Sequence, residues 1–345
     1  MIEELIKKAA ELRASDLHIA YNRIPKIRVD GDLIDMPEEA LLTDADCESI
    51  AKELLGREMP KAGEIDLAVH SAGRRIRGNV YRQSGHVSIA LRLLRDVIPE
   101  LENLGLPKAV ETLPELHSGI VIVTGETGSG KSTTIASILS RINHNQYRHI
   151  ITLEDPIEYI HESDKCLVDQ REIGKDTASY AMGLRAILRE DPDVILIGEM
   201  RDLETIETAL TAAETGHLVF ATLHTNSAAE SIDRIVDVFP AERQRQIRMQ
   251  LSTTLQAVLS QQLVKKIGGG RVAACELMIV NPAIRNLIRE GKTPQIESAL
   301  GTSADIGSIS MDNALLKLYK DRVIDSETIK SACRDKELIG KTVRF

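Results

Sequence analysis

The stretch "IVIVTGETGSGKS", residues 120–132, decides the fold of the larger part of this 345-residue chain. Its apolar first half predicts a buried β-strand. Its second half fits the pattern G-x-x-x-x-G-K-[ST] in the context that the motif requires, after a strand and before a helix. Gly125, Gly128 and Gly130 allow backbone N–H groups to surround phosphates, and the following helix adds the positive end of its dipole. The stretch therefore predicts a nucleotide-binding loop.

The end of this loop carries the polar groups that a nucleotide needs. Lys131 is placed to reach the β- and γ-phosphates, and the Ser132 hydroxyl is placed to ligate magnesium. ATP and Mg²⁺ are therefore the expected cofactors. The residues expected to bind the nucleotide are Gly125, Thr127, Gly128, Ser129, Gly130, Lys131, Ser132 and Thr133.

Strands alternate with long helical stretches from about residue 113 onward. The strand-like segments end in "IVIVTG", "HIITLED", "VILIGE" and "LVFATLH". This alternation is typical of the α/β class with a mostly parallel sheet, in which ligands bind outside the carboxyl ends of the strands. From "ERQRQIRMQLSTTLQAVLSQQL", residues 242–263, helical patterns surround one strand-like segment, "VAACELMIV". They predict a helical C-terminal subdomain.

The first 97 residues have a different pattern, which is typical of a small α+β domain. Apolar residues at helical spacing from Ile2 predict a first helix, Asp30-Gly31 predicts a hairpin turn, and a second helix is expected between Thr43 and Gly56. Three strand-like segments follow, "EIDLAVHS", "RRIRGNVYRQ" and "HVSIALRLL". Residues 98–112 contain two prolines and one glycine and are predicted to be a linker. The predicted domains are therefore 1–97 and 113–345.

An acidic residue follows the apolar strand in "DPDVILIGEMRD", residues 191–202. The position that usually supplies a magnesium-binding Asp at the end of such a strand is Gly198, and the carboxylate comes one residue later as Glu199. Glu199 is therefore suited to orient or deprotonate the attacking water. The alternative is that Glu199 caps the helix expected to begin near Asp202.

Two further strand ends carry candidate site residues. "TLEDPIEY" places three acids around a proline, and of these Glu158 is the candidate for a place near the metal or the water, while Asp155 also fits a simple turn residue. "TGHLVFATLHTN" places His217 before a strand and His224 at its end, and either could sense the γ-phosphate. A lone histidine at a strand end is more often structural, which is the alternative for both.

The composition narrows the functional classes. A net charge of −9 and a pI near 5.6 weigh against sequence-independent binding of nucleic acid, which depends on a basic surface. No run approaches the ~18 apolar residues of a membrane helix, and the charged N-terminus has no signal-peptide pattern, so a cytoplasmic protein is expected. The cysteines are too far apart in sequence to predict a zinc site or a disulfide framework. They are Cys47, Cys166, Cys275 and Cys333.

The order of four motifs resembles that of the ATPases of type II secretion and type IV pili. The motifs are the phosphate-binding loop, "TLEDPIEY", "LIGEMRD" and "GHLVFATLHTN". Within that superfamily the chain is most similar to the pilus retraction ATPases, whose pattern is matched by "ASDLHI" at 14–19, "IRVDGDL" at 27–33 and "DQREIGKDT" at 169–177. The resemblance covers nearly the whole chain.

The resemblance implies a fold and a function. It implies a PAS-like α+β domain followed by a RecA-like P-loop ATPase domain with a helical C-terminal part. It also implies a homohexameric ring that hydrolyses ATP at the cytoplasmic face of the bacterial inner membrane and drives pilin subunits out of the pilus fibre, for twitching motility. The expected partners are other copies of the chain, an inner-membrane platform protein and the pilus machinery. Attachment to the membrane is expected to be peripheral, and no nucleic acid is expected.

Six arginines crowd one predicted sheet of the first domain, with no lysine between them: Arg74, Arg75, Arg77, Arg82, Arg92 and Arg95. The guanidinium fork suits phosphate, and in a ring such residues can act on the ATP of a neighbouring subunit. The resemblance favours Arg77 and Arg92 for this role, and Arg82 less strongly. The alternative, a solvated or ion-paired strand face, is favoured for the other three.

The segment "AIRNLIREGK", residues 283–292, resembles a short motif associated with retraction. Ala283, Ile284, Leu287 and Ile288 repeat at the spacing of one apolar helix face, and Arg285, Arg289 and Lys292 occupy the rest. One interpretation is ordinary packing of a helix. The other is that the polar face, and Arg285 and Arg289 in particular, transmits ATP-driven motion to the pilus machinery.

Other functions remain as alternatives at this point. An auxiliary retraction ATPase or a motor for extension or secretion belongs to the same superfamily, although the extension motors usually carry a four-cysteine motif that this chain lacks. A nucleic-acid translocase would need an aromatic-bearing basic channel, and only 3% of the residues are aromatic. A nucleotide switch without hydrolysis is disfavoured by the presence of both Glu158 and Glu199.

Overall fold

The computed structural model describes residues 1–93 and 97–342 and divides the chain into two compact units, Met1–Val97 and Ile98–Phe345. Arg95, for which the sequence favours a solvated position, lies outside the described residues. Among the described residues, no helix has both the length and the apolar character that crossing a membrane requires. The four cysteines are free thiols.

The first unit is an antiparallel sheet of six strands in the order β3-β2-β1-β6-β5-β4 with two helices. Its core contains fully buried aliphatic side chains from the sheet and from both helices, among them Ile6, Leu17, Ile50 and Val80. The elements are α1 Ile2–Glu11, β1 Asp16–Ala20, β2 Lys26–Val29, β3 Asp32–Asp35, α2 Asp44–Leu55, β4 Glu64–Ser71, β5 Arg74–Gln83 and β6 His86–Leu93.

Local sequence signals account for the element boundaries of this unit. Asp30 and Gly31 both have positive φ, as a tight two-residue hairpin requires, so the predicted turn between β2 and β3 is confirmed. The predicted second helix is also confirmed. Thr43 and Asp46 form a capping box at its start, and Gly56 ends it in the left-handed conformation.

The second unit is built on a seven-stranded sheet in the order β13-β12-β7-β11-β10-β8-β9. All neighbours are parallel except β12 and β13. The strands are β7 Gly119–Thr124, β8 His149–Glu154, β9 Leu167–Glu172, β10 Val194–Ile197, β11 Leu218–Leu223, β12 Leu255–Lys265 and β13 Arg271–Ile279. The helices are α3 Lys131–Asn145, α4 Tyr180–Ile187, α5 Leu203–Glu214, α6 Ala228–Asp237, α7 Ala241–Thr254, α8 Pro282–Glu290, α9 Ile296–Gly301, α10 Met311–Lys320, α11 Ser326–Ala332 and α12 Lys336–Thr342.

Both faces of the second sheet are covered, which explains why its strands read as continuous apolar runs. Along β7, Ile120 and Ile122 belong to one buried cluster, and Val121 and Val123 belong to the cluster on the opposite face. The predicted α/β class is confirmed by this sheet and its helices. The four strands predicted from the alternating pattern are β7, β8, β10 and β11, and the strand-like segment "VAACELMIV" corresponds to β13.

The structure corrects the prediction for residues 255–263. The sequence pattern predicts that the helix continues there, but the helix ends at Thr254 and the residues form β12, a central strand between β7 and β13. A short apolar run that is buried on both sides cannot be distinguished from a helix by its periodicity. The predicted helical C-terminal region therefore begins with α7, is interrupted by β12 and β13, and resumes with α8.

The predicted linker, residues 98–112, contributes to the second unit. It contains the 3₁₀ helix Leu101–Leu104 and most of a second one, Lys108–Glu115. Leu101, Val110 and Leu113 are buried in the same hydrophobic cluster as α3. The prolines and the glycine that suggested a flexible connection thus shape short turns that pack against the sheet.

Candidate active site

The phosphate-binding loop joins the buried strand β7 to helix α3, as the sequence predicts. Gly125, Gly128 and Gly130 all have positive φ, a conformation that favours glycine. Gly125 is also required sterically, because an added Cβ would lie 2.2 Å from the carbonyl oxygen of Gln261 on β12. The path of the loop therefore depends on these glycines.

Lys131 is the first residue of α3, and its side chain is buried against the loop. Its Nζ donates hydrogen bonds to the carbonyl oxygens of Gly125, at 2.6 Å, and Glu126, at 2.9 Å. Burial lowers the pKa of Lys131, and the negative charges of Glu199 and Glu158 partly offset that effect. The two acids are thus near enough to act on the charge of the lysine.

Other groups of the loop also fit a bound phosphate chain. The Ser129 hydroxyl is buried and has no hydrogen-bond partner within 1–93 and 97–342, so it is available to a ligand. Ser132 is exposed and offers a hydroxyl that suits magnesium, and Thr127 is exposed as well. Thr133 differs, because its hydroxyl is 2.8 Å from the Tyr159 hydroxyl and is already used.

The strand order brings the other candidates to the same edge of the sheet. β7 pairs with β11, β11 with β10 and β10 with β8, all in parallel, so their carboxyl ends lie side by side. His224 directly follows β11, Gly198 and Glu199 follow β10, and Glu158 comes shortly after β8. The loop, the histidine and the two acids therefore lie along one edge.

Glu199 is held by two basic side chains. Its carboxylate is 2.6 Å from the Arg201 guanidinium and 3.4 Å from His224 Nε2. Burial raises the pKa of Glu199, but the hydrogen bond from Arg201 and the proximity of His224 outweigh this effect, so that the pKa lies below its usual value. Glu199 is therefore a carboxylate at neutral pH, the form that can accept a proton from water.

The alternative role of Glu199 as a helix cap is excluded by the structure. The cap of α5 is Asp202, whose side chain accepts the Thr205 N–H at 2.9 Å.

The glycine before Glu199, Gly198, has a steric explanation. A Cβ on Gly198 would lie 2.9 Å from the Tyr180 hydroxyl and 3.0 Å from the Leu153 carbonyl oxygen. An aspartate at that position would not fit without a local shift.

Glu158 lies on a segment that a buried polar network holds. Glu154, at the end of β8, accepts hydrogen bonds from Thr152, from Gln170 on β9 and from the backbone N–H of Glu158, and its burial raises its pKa. Gln170 also donates to the Tyr159 carbonyl oxygen at 2.8 Å. Glu154 is thus a supporting residue, and Glu158 is the acid of this motif whose charge acts on Lys131.

The structure separates the two histidines. His217 precedes β11, at the opposite end of the strand from His224, which corresponds to roughly 20 Å for a strand of that length. Its Nδ1 lies 2.9 Å from the Ala212 carbonyl oxygen, so His217 satisfies a turn between α5 and β11. Both histidines were predicted as possible sensors of the γ-phosphate. Within one chain, His224 lies at the site and His217 does not.

The loop that carries His224 is tied directly to the start of the phosphate-binding loop. The backbone N–H of Thr225 donates to Oγ1 of Thr124 at 2.9 Å, and Thr124 Oγ1 lies 2.6 Å from the Thr225 carbonyl oxygen. Thr124 immediately precedes Gly125. Sequence reasoning missed Thr225, Tyr159 and Gln170, because an uncharged polar side chain in a motif carries no chemical signature until its partner is known.

The arginines of the first unit form a row across its sheet. Arg77 on β5 faces Arg92 on β6, Arg92 faces Asp16 on β1, and Asp16 faces Arg28 on β2. Arg92 Nε is 3.0 Å from the Asp16 carboxylate, and its side chain is 54% exposed. Arg77 is exposed too. The two arginines favoured from the sequence therefore share one face of the sheet.

The remaining arginines of that sheet are less available. Arg82 forms an ion pair of 2.5 Å with Glu48 and donates to the Pro60 carbonyl oxygen at 3.0 Å. Within this unit Arg82 is therefore a structural residue. Arg77 and Arg92 remain as the candidates for acting on the ATP of a neighbouring subunit. Arg74 and Arg75 are half-buried.

Comparison with known proteins places these motifs in a family. The model of the family "Type II/IV secretion system protein" matches residues 1–283. The type IV pilus retraction ATPase PilT of Pseudomonas aeruginosa is 47% identical over 342 residues, which cover 96% of this chain and 98% of that protein. A twitching motility protein of Neisseria gonorrhoeae is 44% identical, with 91% and 85% covered. A crystal structure of the pilus retraction motor PilT with bound ADP has 47% identity and a TM-score of 0.85, and covers 99% of each chain.

Proposed function

The chain belongs to the type II/IV secretion system protein family, and from this premise we propose that it hydrolyses ATP to power the retraction of type IV pili. The sequence-based assignment to this superfamily is confirmed. The single observation that carries the enzymatic part is the row formed by Lys131, His224 and Glu199 at the carboxyl edge of the parallel sheet. This row supplies a phosphate-binding cation and a carboxylate suited to activate water.

The binding step follows from the loop. The backbone N–H groups of the glycine-rich turn and the Ser129 hydroxyl receive the phosphates, and Lys131 leaves the Gly125 and Glu126 carbonyl oxygens to pair with them. Ser132 would hold a magnesium ion, which when bound would neutralise negative charge on the phosphates. The loop residues named from the sequence keep this role in the proposal, with Thr133 contributing through its backbone.

The hydrolytic step uses Glu199 as the base. Water attacks the γ-phosphorus, its proton passes to the Glu199 carboxylate, and the bond to the bridging oxygen breaks to give ADP and phosphate. His224, which lies beside Glu199, is proposed to respond to the γ-phosphate, and Glu158 is proposed to orient the attacking water. Arg77 and Arg92 are proposed to reach the ATP of a neighbouring copy in a homohexameric ring, where they stabilise the charge of the transition state.

The same proposal sets the cellular context. We place the ring at the cytoplasmic face of the inner membrane, attached peripherally to a platform protein of the pilus machinery.

The behaviour of cells that lack this protein tests the proposal against the alternatives that the chain is a sibling motor for auxiliary retraction or for extension. Cells that lack this protein should carry excess pili and fail to twitch. Loss of the pili instead would point to extension, and normal twitching would overturn the proposal.

The two arginines of helix α8, Arg285 and Arg289, have different surroundings. This changes which of them can be used to test whether the polar face transmits motion. Arg285 donates to the Ser252 and Thr253 carbonyl oxygens at 2.8 and 2.9 Å, at the end of α7, and its burial lowers its pKa. Arg285 therefore stabilises the junction between α7 and β12. Arg289 is exposed, and Lys292 is paired with Glu290. Arg289 has no hydrogen bond or ion pair in the part of the chain that the structure describes, so its replacement tests transmission with little disturbance of the fold.

Arg289→Ala is expected to leave the ATPase rate of the purified protein within about twofold, because the exposed side chain forms no hydrogen bond or ion pair within 1–93 and 97–342 and its charge acts on the neighbouring Glu290. It is expected to abolish twitching, because the transmission hypothesis assigns the motion to this polar face. Complementation of the deletion strain by each variant, with ATPase assays on the same proteins, measures both effects. Ile284→Ala is the contrasting variant. Its side chain is fully buried, and its truncation is expected to cost about 2–5 kcal/mol of stability. Normal twitching with Arg289→Ala would leave α8 with a packing role only.

A further inference from the structure

An ion pair between a buried carboxylate and a partly exposed arginine joins the C-terminal region to the loop that follows His224. Glu276 lies on β13 and is 2% exposed, and its carboxylate is 2.5 Å from the Arg334 guanidinium. Arg334 follows α11, more than 50 residues further along the chain. An ionised group at this depth is costly unless its partners are well placed, so the pair fixes the position of both segments.

The same two side chains also hold the loop that follows β11. The other oxygen of Glu276 accepts the N–H of Ala228, the first residue of α6, at 2.8 Å. The second guanidinium nitrogen of Arg334 donates to the Asn226 carbonyl oxygen, which also accepts a hydrogen bond of 2.7 Å from Ser260. Residues 226–228 are therefore hydrogen-bonded at one end to Arg334 and at the other end to Glu276.

The residue before this segment is bonded to the start of the phosphate-binding loop. Thr225 is bonded to Thr124, and Asn226, its neighbour in the chain, is bonded to Arg334. His224, which contacts Glu199, is the residue before Thr225. The geometry of the contact between His224 and Glu199 thus depends on two anchors, of which one comes from the nucleotide site and the other from the C-terminal segment.

The backbone of the C-terminal segment is itself fixed at this point. The N–H groups of Arg334 and Asp335 each donate to the carboxylate of Asp312 on α10 at 2.9 Å. The planar fork of Arg334 then donates to a carboxylate and a carbonyl oxygen from two different nitrogens held in a fixed geometry, which the single ammonium group of a lysine does not reproduce. Arg334 is therefore held at its backbone N–H and at two of its guanidinium nitrogens.

We infer that Arg334 is a positioning residue for His224, acting through Glu276 and the Asn226 carbonyl oxygen, so that the C-terminal segment sets how well the hydrolytic site is assembled. This inference rests on the proposed ATPase function. It predicts that a change at Arg334 lowers turnover through His224 and leaves nucleotide binding at the loop largely intact.

The test is the steady-state ATPase activity of the full chain with Arg334→Gln, with His224→Ala and with both. We expect Arg334→Gln to lower kcat about tenfold and to change KM for ATP less than about twofold. In the His224→Ala background the same change should have no further effect on kcat, because residues that act as one unit are not additive. Arg334→Lys should recover part of the rate, since it restores the pair with Glu276 alone.

Controls separate this role from a structural one. Arg245→Gln, at an exposed arginine of α7, should leave kcat and the melting temperature unchanged. If Arg334→Gln does not give folded protein, Arg334→Lys with and without His224→Ala makes the same comparison. An unchanged kcat, or an equal further loss in the His224→Ala background, would overturn the inference alone. A wild-type chain without ATP hydrolysis would overturn the proposed function with it.

Discussion

Glu199→Gln is expected to bind ATP with an affinity within about twofold of wild type and to lose at least about 100-fold in kcat. The loop and Lys131 hold the phosphates without the Glu199 carboxylate, so the substitution removes the proton acceptor and leaves the binding groups. Glutamine keeps the size of the side chain and can still contact Arg201 and His224. The loss therefore reports the chemistry of the carboxylate and not a collapse of the site.

The measurement pairs ATP binding with phosphate release on the same samples. Lys131→Ala is the contrasting variant and should weaken binding itself, because it removes the cation that reaches the phosphates. Glu242→Gln, at an exposed acid of α7, is the matched control and should behave as wild type. A normal rate of phosphate release from Glu199→Gln would show that another group activates the water, and Glu158 would then be the next residue to test.

The pKa of Glu199 also bears on how the ATPase activity depends on pH. Because the hydrogen bond from Arg201 and the proximity of His224 hold this pKa below its usual value, the carboxylate stays ionised as the pH falls through the mildly acidic range. Protonation of Glu199 therefore does not limit activity near neutral pH.

The parts of the fold that the sequence predicts are those with a local cause. The hairpin at Asp30-Gly31 depends on two residues that tolerate positive φ, and the start of α2 depends on a capping box whose two residues are three positions apart. The strand β12 has no such signal. Its identity as a strand comes from its neighbours β7 and β13, which are distant in sequence, and an apolar run alone is compatible with either structure.

The candidate site also contains residues that the sequence identifies and residues whose place depends on the three-dimensional structure. Lys131 and Ser132 are recognisable in the sequence because the motif of the glycine-rich loop fixes their spacing, and Glu199 is recognisable as the acid that follows an apolar strand. His217 and His224 could not be separated by type, and only the direction of β11 shows which of them lies at the carboxyl edge. Arg285 was assigned to a solvent-facing row by helical periodicity, but long side chains can reach the end of a neighbouring helix.

Arg92→Ala is expected to lower kcat by at least about 100-fold, because an arginine that stabilises the phosphoryl-transfer transition state contributes that much or more. The side chain is exposed and its partner in the chain is Asp16, so the loss should not come from unfolding. Arg74→Ala, on the same sheet, is the matched control. If Arg92 acts on the ATP of a neighbouring copy, adding Arg92→Ala chains to wild type should depress the activity of the mixture.

A mixture of Lys131→Ala and Arg92→Ala chains tests the direction of this effect, since each variant alone lacks one half of every site. The Arg92→Ala chain keeps a sound phosphate-binding loop, and the Lys131→Ala chain keeps a sound arginine. In randomly mixed rings about a quarter of the interfaces pair the two sound halves, so activity should exceed that of either variant alone. Native mass spectrometry establishes that mixed rings form, and a parallel mixture of wild type with Lys131→Ala shows whether they tolerate inactive neighbours. When both conditions hold, an absence of recovery at every ratio means that Arg92 serves the ATP of its own chain or none.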